Sequence, residues 1–260
     1  MASLEDFLTA PEEKPDQLLD AVLEQKLQAT LDRLKTAVTD YGEGLVFANS
    51  LGAEDVLLTG LIGNYLSTAK QAGIEQFVLD TGRLPEETLT LLARVQQKWP
   101  QLVIKVYYPR AETLQGWVSK EGVNAFYRSQ ALRQSCCQVR KLEPLSRALK
   151  GKTAWITGLR REQSVTREAL DYSQWDAANG LQKLSPLFDW TEAEVWAVIH
   201  ALKLPYNSLH DHNYPSIGCA PCTRAVKPED DPRSGRWWWE NPETRECGLH
   251  TTANLIEVKS

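Results

Sequence analysis

Five cysteines carry the first chemical signal in the chain. Cys136 and Cys137 stand side by side in Ser135-Cys136-Cys137-Gln138-Val139-Arg140-Lys141, Cys219 and Cys222 bracket Ala220-Pro221, and Cys247 stands apart in Arg245-Glu246-Cys247-Gly248-Leu249-His250. Two close pairs of thiolates are the donor set of a soft metal centre, zinc or an iron-sulfur cluster. A tetrahedral zinc ion is usually gripped by CxxC-type knuckles, and two adjacent residues make an awkward bite on one ion; a cubane has separate irons, so neighbouring cysteines can bind different corners. On spacing alone the cluster, the zinc site and a metal-free reading with the thiols as small buried hydrophobes all stay open. The fifth cysteine is left for chemistry. Arg245 and His250 lie close to Cys247 in sequence and a glycine follows it, neighbours that favour the thiolate a nucleophile needs.

The elements that must position these sulfurs follow from chain length and pattern. At 260 residues one α/β domain can bury a full core without being split. The formal charge of -5 argues against a general nucleic-acid binder, which needs a basic surface to displace phosphate counterions. The start, Met1-Ala2-Ser3-Leu4-Glu5-Asp6, has neither the positive n-region nor the apolar core of a signal peptide, and no apolar run approaches membrane-spanning length. The expectation is a cytoplasmic, membrane-free protein in a reducing compartment, where an odd cysteine count reads as ligands and nucleophiles.

Residues 1–16 read as a polar leader. Leu18, Leu19, Val22, Leu23, Leu27, Leu31, Leu34 and Val38 recur at helical spacing and predict a long first helix. Strands are predicted at Leu45–Ala48, Gln76–Leu79, Val103–Tyr108 and Ala154–Thr157, with helices at Val56–Leu66 and Pro85–Lys98. Repeated strand-turn-helix units imply a mostly parallel, doubly wound sheet covered on both faces, with ligands at the carboxyl ends of its strands. Three of those ends carry turn chemistry that would converge on one crevice: Asn49-Ser50-Leu51-Gly52-Ala53-Glu54-Asp55, Asp80-Thr81-Gly82-Arg83, and Gly158-Leu159-Arg160-Arg161. Any one of them alone reads more readily as a plain helix cap or turn, and it is three on successive strands that point to a shared site.

Glu112–Lys150 reads as helical, with the cysteine doublet inside it or at a bend, followed by Arg140 and Lys141. A helix over Thr191–Leu202 and an irregular loop through Pro205, Tyr206, Asn207, Tyr214, Pro215 and Gly218 lead to Cys219. One domain is expected over residues 17–230, and a mobile segment carrying Cys247 over 231–260. Trp237-Trp238-Trp239 lies in that segment, and three consecutive tryptophans cannot all face a core, so some are expected to form a docking surface or a hinge cover.

Taken together these motifs resemble the assimilatory, thioredoxin-dependent sulfonucleotide reductases, and within them the adenylyl-sulfate (APS) reductases with a 4Fe-4S cluster. The resemblance rests on Ser50–Asp55, Leu79–Leu84, Cys136-Cys137 with Arg140-Lys141, Thr157–Ser164, Ser208-Leu209-His210, Ile217–Arg224, Gly235–Trp239 and Glu246–His250, in family order from about residue 44 onward. It implies an adenine-nucleotide α-hydrolase-like fold with a flexible catalytic tail. Asn49, Ser50, Gly52, Asp55, Leu79, Thr81, Gly158 and Arg167 would surround the adenosine half, and Lys141, Arg233, Arg236 and His250 would grip the phosphosulfate. Cys136, Cys137, Cys219 and Cys222 would ligate the cluster. Cys247 would be the nucleophile, reduced thioredoxin or a glutaredoxin-like protein the donor, and sulfite and AMP the products; an oligomer is allowed.

Two rivals differ in class. An ATP pyrophosphatase or tRNA-thiolating relative would carry Ser-Gly-Gly-x-Asp-Ser where this chain has Ser50-Leu51-Gly52-Ala53-Glu54-Asp55. A DNA-binding redox sensor is disfavoured by the acidic balance. Within the resembling family, relatives that use the 3′-phosphorylated nucleotide (PAPS) generally lack the doublet and the CxxC pair, so the four cysteines favour APS, with PAPS or dual specificity as the alternative.

Overall fold

The computed structural model describes residues 19–66, 73–163 and 167–241. The leader, Cys247 and His250 lie outside the described residues. A six-stranded sheet in the order β3-β2-β1-β4-β6-β5 forms the centre, with β1 at Leu45–Ala48, β2 at Gln76–Leu79, β3 at Ile104–Tyr107, β4 at Ala154–Ile156, β5 at Ser173–Asp176 and β6 at Leu181–Leu184. Every pairing is parallel except β5 with β6. The central strands are short apolar runs. Val46, Phe47, Trp155 and Ile156 are all buried, because helices cover both faces.

Helix α1 (Ala21–Tyr41) turns Leu23, Leu27, Leu31 and Leu34 onto the sheet. It starts where Asp20 Oδ1 accepts the Leu23 N–H at 2.8 Å. Helix α2 (Ala53–Leu61), which continues through a π-helical turn at Ile62–Leu66, and α3 (Glu86–Lys98) follow β1 and β2 as predicted. The predicted helical stretch from 112 to 150 is interrupted. Helix α4 (Ala111–Glu121) ends at Gly122, whose φ of 92° leaves the helical region, and Ser129 restarts the chain as N-cap of α5 (Gln130–Cys137). A π-helical turn (Gln138–Leu142) then joins α5 to α6 (Glu143–Leu149). Helix α7 (Glu192–Ala201) opens with a capping box in which Thr191 and Glu194 satisfy each other's backbone N–H groups.

The β5-β6 hairpin is not among the predicted strands. Its residues, Ser-Gln-Trp-Asp and Leu-Gln-Lys-Leu, lack the β-branched run that marks a strand, and its turn is held by Asp176, whose Oδ2 accepts from Asn179 Nδ2 at 2.8 Å.

The strand order fixes where a ligand goes. The chain winds outward from β1 through β2 to β3 and then returns to place β4 on the other side of β1, so the loops after β1 and β4 part from each other at the carboxyl edge. That switch point is the crevice such sheets offer.

Candidate active site and cysteine pocket

The loop after β1 is built by its own side chains. Asn49 Oδ1 accepts the Leu51 N–H at 2.8 Å, and Asn49 Nδ2 donates to Thr59 Oγ1 and Gln76 Oε1, each at 2.9 Å. These contacts hold Leu51 at φ 62°, a left-handed conformation that a branched side chain adopts only under constraint. The Ser50 N–H and Oγ both donate to Asp55 Oδ2, at 2.6 and 2.5 Å. Burial pushes the Asp55 carboxyl up to about 7, against the pull of the Ser50 donors. Across the crevice, Gly158 after β4 fits where nothing larger could, since a Cβ there would lie 2.3 Å from Asp55 Oδ1.

These loops open on a cleft of about 480 Å³. Asn49, Ser50, Gly52, Asp55, Leu79, Thr81, Lys141, Gly158, Arg167, Arg233 and Arg236 all line it, so the structure brings together every described residue of the expected nucleotide site. One wall is a connected acid-base network: Arg160 pairs with Glu54 at 2.8 Å and with Glu162 at 2.9 Å, Gln163 Nε2 donates to Glu54 Oε1 at 2.9 Å, and Arg167 donates to Gln163 Oε1.

A smaller pocket adjoins the cleft, and Cys136, Cys137, Cys219 and Cys222 all line it. The first two end α5. Successive helical residues point roughly 100° apart, so their sulfurs diverge. Cys219 caps and Cys222 ends a short 3₁₀ turn (Ala220–Cys222) placed by backbone contacts: Ala220 N donates to Arg83 O at 2.8 Å, and Trp237 N to Cys222 O at 3.2 Å. Thr81 Oγ1 lies 3.2 Å from Cys219 Sγ. Burial pushes the Cys222 thiol up to about 12, with Cys219 and Cys137 adding to the shift, and burial raises Cys136 against the opposing pull of Arg140. The same pocket is walled by Arg83, Arg133, Arg140, Lys141 and Arg236.

Lys141, Arg236 and Trp237 line both the pocket and the cleft. Arg236 is held there by Ser216 Oγ at 3.3 Å and by the Trp237 ring at 4.9 Å, and Gly218 makes room for it, because a Cβ would lie 2.1 Å from the guanidinium. Residues 231–241, the described part of the segment expected to be mobile, pack onto this corner. Arg133 and Glu240 form a 2.9 Å ion pair with side chains 2 and 6 % exposed, and Arg133 also stacks on Trp237 at 4.6 Å.

Sequence reasoning does not single out Gln76, Arg133, Glu240 or the Glu54-Arg160 pair. Gln76 opens the apolar run of β2, where a polar residue points to a buried network, whereas Arg133 lies among other polar residues that give no such signal. Of the tryptophans, Trp237 is buried and Trp238 is 39 % exposed, as expected for a triplet that cannot face one way.

Comparison with known proteins places this architecture. The phosphoadenosine phosphosulfate reductase domain family matches residues 44–225. The chain is 55 % identical over 208 residues to the adenosine 5′-phosphosulfate reductase of Allochromatium vinosum, covering 80 % of this chain and 79 % of that protein. It is 49 % identical over 233 residues to the same reductase of Burkholderia cepacia, covering 88 and 91 %. Among solved structures, phosphoadenylyl-sulfate reductase from Candida auris superposes with a TM-score of 0.63 at 24 % identity, over 82 % of this chain and 100 % of that one. An FMN adenylyltransferase from Candida glabrata superposes at 0.55 and 14 % identity, over 96 and 83 %. These two likenesses show the fold. With the family match spanning the β1 and β4 loops of the cleft and the four pocket cysteines, the chain belongs to the phosphoadenosine phosphosulfate reductase domain family, among its adenosine 5′-phosphosulfate reductases.

Proposed function

We propose that the chain reduces adenylyl sulfate to sulfite and AMP, with reduced thioredoxin as donor and Cys247 as nucleophile, in the cytoplasm. The observation that carries this reading is the cleft at the β1-β4 switch point, whose cationic corner of Lys141 and Arg236 is also the wall of a four-cysteine pocket. Thiolate and sulfate are both negative, so the attack needs cations at the sulfur, and Lys141, Arg233, Arg236 and His250 take that role. Asn49, Ser50, Gly52, Asp55, Leu79, Thr81, Gly158 and Arg167 surround the adenosine. The Cys247 thiolate forms a bond to sulfur, the sulfur-oxygen bond to AMP breaks, and the enzyme holds a cysteine S-sulfonate. A thioredoxin thiolate then attacks the Cys247 sulfur and expels sulfite with the electron pair of the sulfur-sulfur bond. The second thioredoxin thiol resolves the mixed disulfide, so the dithiol supplies both electrons.

The pocket's donor set fits a 4Fe-4S cluster held by Cys136, Cys137, Cys219 and Cys222. Among the described residues, no three His, Cys, Asp or Glu side chains converge closely enough to hold a single metal ion. Two adjacent residues make an awkward bite on one zinc ion, whereas neighbouring cysteines can bind separate irons of a polynuclear centre. The cations lining that pocket would balance the charge of four thiolates, which form as metal displaces their protons. Such a centre would supply a fixed negative charge beside Lys141 and Arg236.

The test is incubation of full-length, anaerobically purified protein with adenylyl sulfate and reduced thioredoxin, with iron and acid-labile sulfide assayed on the same sample. Sulfite and AMP in equal amounts, abolished by Cys247→Ser, are expected. Sulfite formed at an undiminished rate by Cys247→Ser, or stoichiometric zinc in place of iron, would overturn the reading.

A further inference from the structure

The proposed reaction sets a distance limit on its second step. The described chain ends at Asn241, and Cys247 follows six residues later; at no more than about 3.6 Å per residue plus the reach of its side chain, its sulfur lies within roughly 25 Å of Asn241. A protein thiol that attacks it must therefore dock close to this point of exit.

An aromatic surface lies there. Trp238 and Trp239, immediately before Glu240 and Asn241, pack edge to face with centroids 5.5 Å apart, and Tyr127 contacts them at 6.3 and 4.5 Å. Phe126 extends the floor, 4.5 Å from Tyr127 and 6.1 Å from Trp239. Tyr127 is 41 % exposed, Trp238 39 % and the adjacent Val123 55 %, a concentration of large apolar groups at the surface that the core does not require. The platform is tied to the cysteine loop, since Tyr127 Oη donates to Pro221 O at 2.7 Å between Cys219 and Cys222, and it bears a cation where Arg224 stacks on Trp238 at 4.9 Å. Rigid aromatics with an arginine at the rim are the residues that dominate protein interfaces.

We propose that Val123, Tyr127 and Trp238 form the docking surface for the dithiol donor, a small protein presenting its attacking cysteine from an exposed apolar patch. This inference rests on the proposed function above. Two features favour that occupant over a second copy of the chain: the surface adjoins the exit of the segment that the donor must reach, and it is anchored to the cysteine loop, so that docking is registered to the active site. The step it serves needs only that the donor's thiolate meet the S-sulfonated Cys247, and the surface takes no part in forming that intermediate.

The test uses cluster-loaded, full-length Trp238→Glu and Val123→Glu, compared with wild type in three assays. Formation of the Cys247 S-sulfonate in a single turnover without reductant, read by mass spectrometry, is expected to be unchanged, as is sulfite release by a small dithiol such as dithiothreitol. The KM for thioredoxin is expected to rise about tenfold or more. An unchanged KM for thioredoxin in both variants would overturn the proposal. So would a parallel fall in all three assays, which would make the patch a support for the active site. Sedimentation that shows a wild-type oligomer dissociating in the variants at unchanged KM would assign the surface to a second copy instead. If wild type itself forms no S-sulfonate, the functional reading fails and not the docking surface alone.

Discussion

Replacing Gln76 with leucine isolates the network that shapes the nucleotide loop. Gln76 is fully buried on β2 and does not line the cleft, yet its Oε1 accepts from Asn49 Nδ2 at 2.9 Å and from Thr59 Oγ1 at 3.1 Å. Thr59 keeps a second acceptor, the Asp55 carbonyl at 2.7 Å, so the group stranded by Gln76→Leu is one N–H of Asn49, itself 2 % exposed. A buried donor left without a partner costs about 1–3 kcal/mol. The same Asn49 side chain holds Leu51 in a left-handed conformation whose own cost is about 1–2 kcal/mol, so a weakened Asn49 lets the loop relax away from its binding shape. Restoring that shape on binding draws on ligand affinity, and about 1.4 kcal/mol corresponds to a tenfold weaker Kd. Titration calorimetry with AMP should therefore show Kd raised about tenfold, alongside a lower unfolding midpoint. Gln76→Glu supplies the control. A carboxyl buried at that site is held protonated near neutral pH and keeps a carbonyl acceptor for Asn49, so its AMP affinity should stay closer to wild type. If Gln76→Leu lowers stability while AMP binds as before, the network supports the core and not the loop, and the reasoning fails.

Three other perturbations have defined outcomes. Glu240→Ala leaves the Arg133 guanidinium buried without its carboxylate and should cost about 3–5 kcal/mol in denaturant unfolding, whereas Arg133→Met with Glu240→Leu should recover most of it. The Asp55 carboxyl, raised from 3.8 to about 7 by burial, binds its proton more tightly folded than unfolded; it favours the folded state fully below pH 3.8, and that contribution is lost as pH rises through about 7. Asp55→Asn should flatten that part of the stability profile, and a wild-type profile already flat between pH 4 and 7 would refute the assignment. Lys141→Ala, which removes a cation shared by pocket and cleft, should lower turnover at saturating nucleotide about a hundredfold while iron content stays unchanged. Unchanged turnover would remove Lys141 from the reaction.

Much of this architecture is legible in the chain because the informative residues are local. A strand such as Leu45–Ala48 is a short apolar run ended by polar turn residues, and its buried position follows from that pattern alone. The doublet Cys136-Cys137, expected in a helix or at a bend, does end α5 where the π-helical turn begins. Long-range pairings are what pattern reading lacks. Nothing near Arg133 announces that its carboxylate partner lies 107 residues away, and nothing in Gln76 shows that it orients the amide of Asn49. The β5-β6 hairpin escapes for a different reason: its strands are polar, and their pairing is set by the Asp176 turn and by register against β4.

The charges around the cleft are sorted, and the sorting bears on which way a ligand lies. Glu54, Glu162, Arg160 and Gln163 form one bonded wall near Gly158, and Arg160 is 4 % exposed, so its charge is committed to the two glutamates. Lys141 and Arg236 stand where the cleft meets the cysteine pocket. A long anionic tail laid along the β1 loop would meet Glu54 at the start of α2, the position where a phosphate-binding loop would instead present unopposed amides. A nucleotide whose neutral purine and ribose face the β1 and β4 loops, with its anionic end at Lys141 and Arg236, meets matched charge at both ends. In the proposed reaction that orientation points the reacting sulfur toward the corner where residues 231–241 pack, which is also where the chain continues toward Cys247. In that proposed orientation the glutamates of the wall would work against the reversed ligand as the cationic corner favours the right one, and the pair would prefer a nucleotide with a short, terminal charge to a triphosphate.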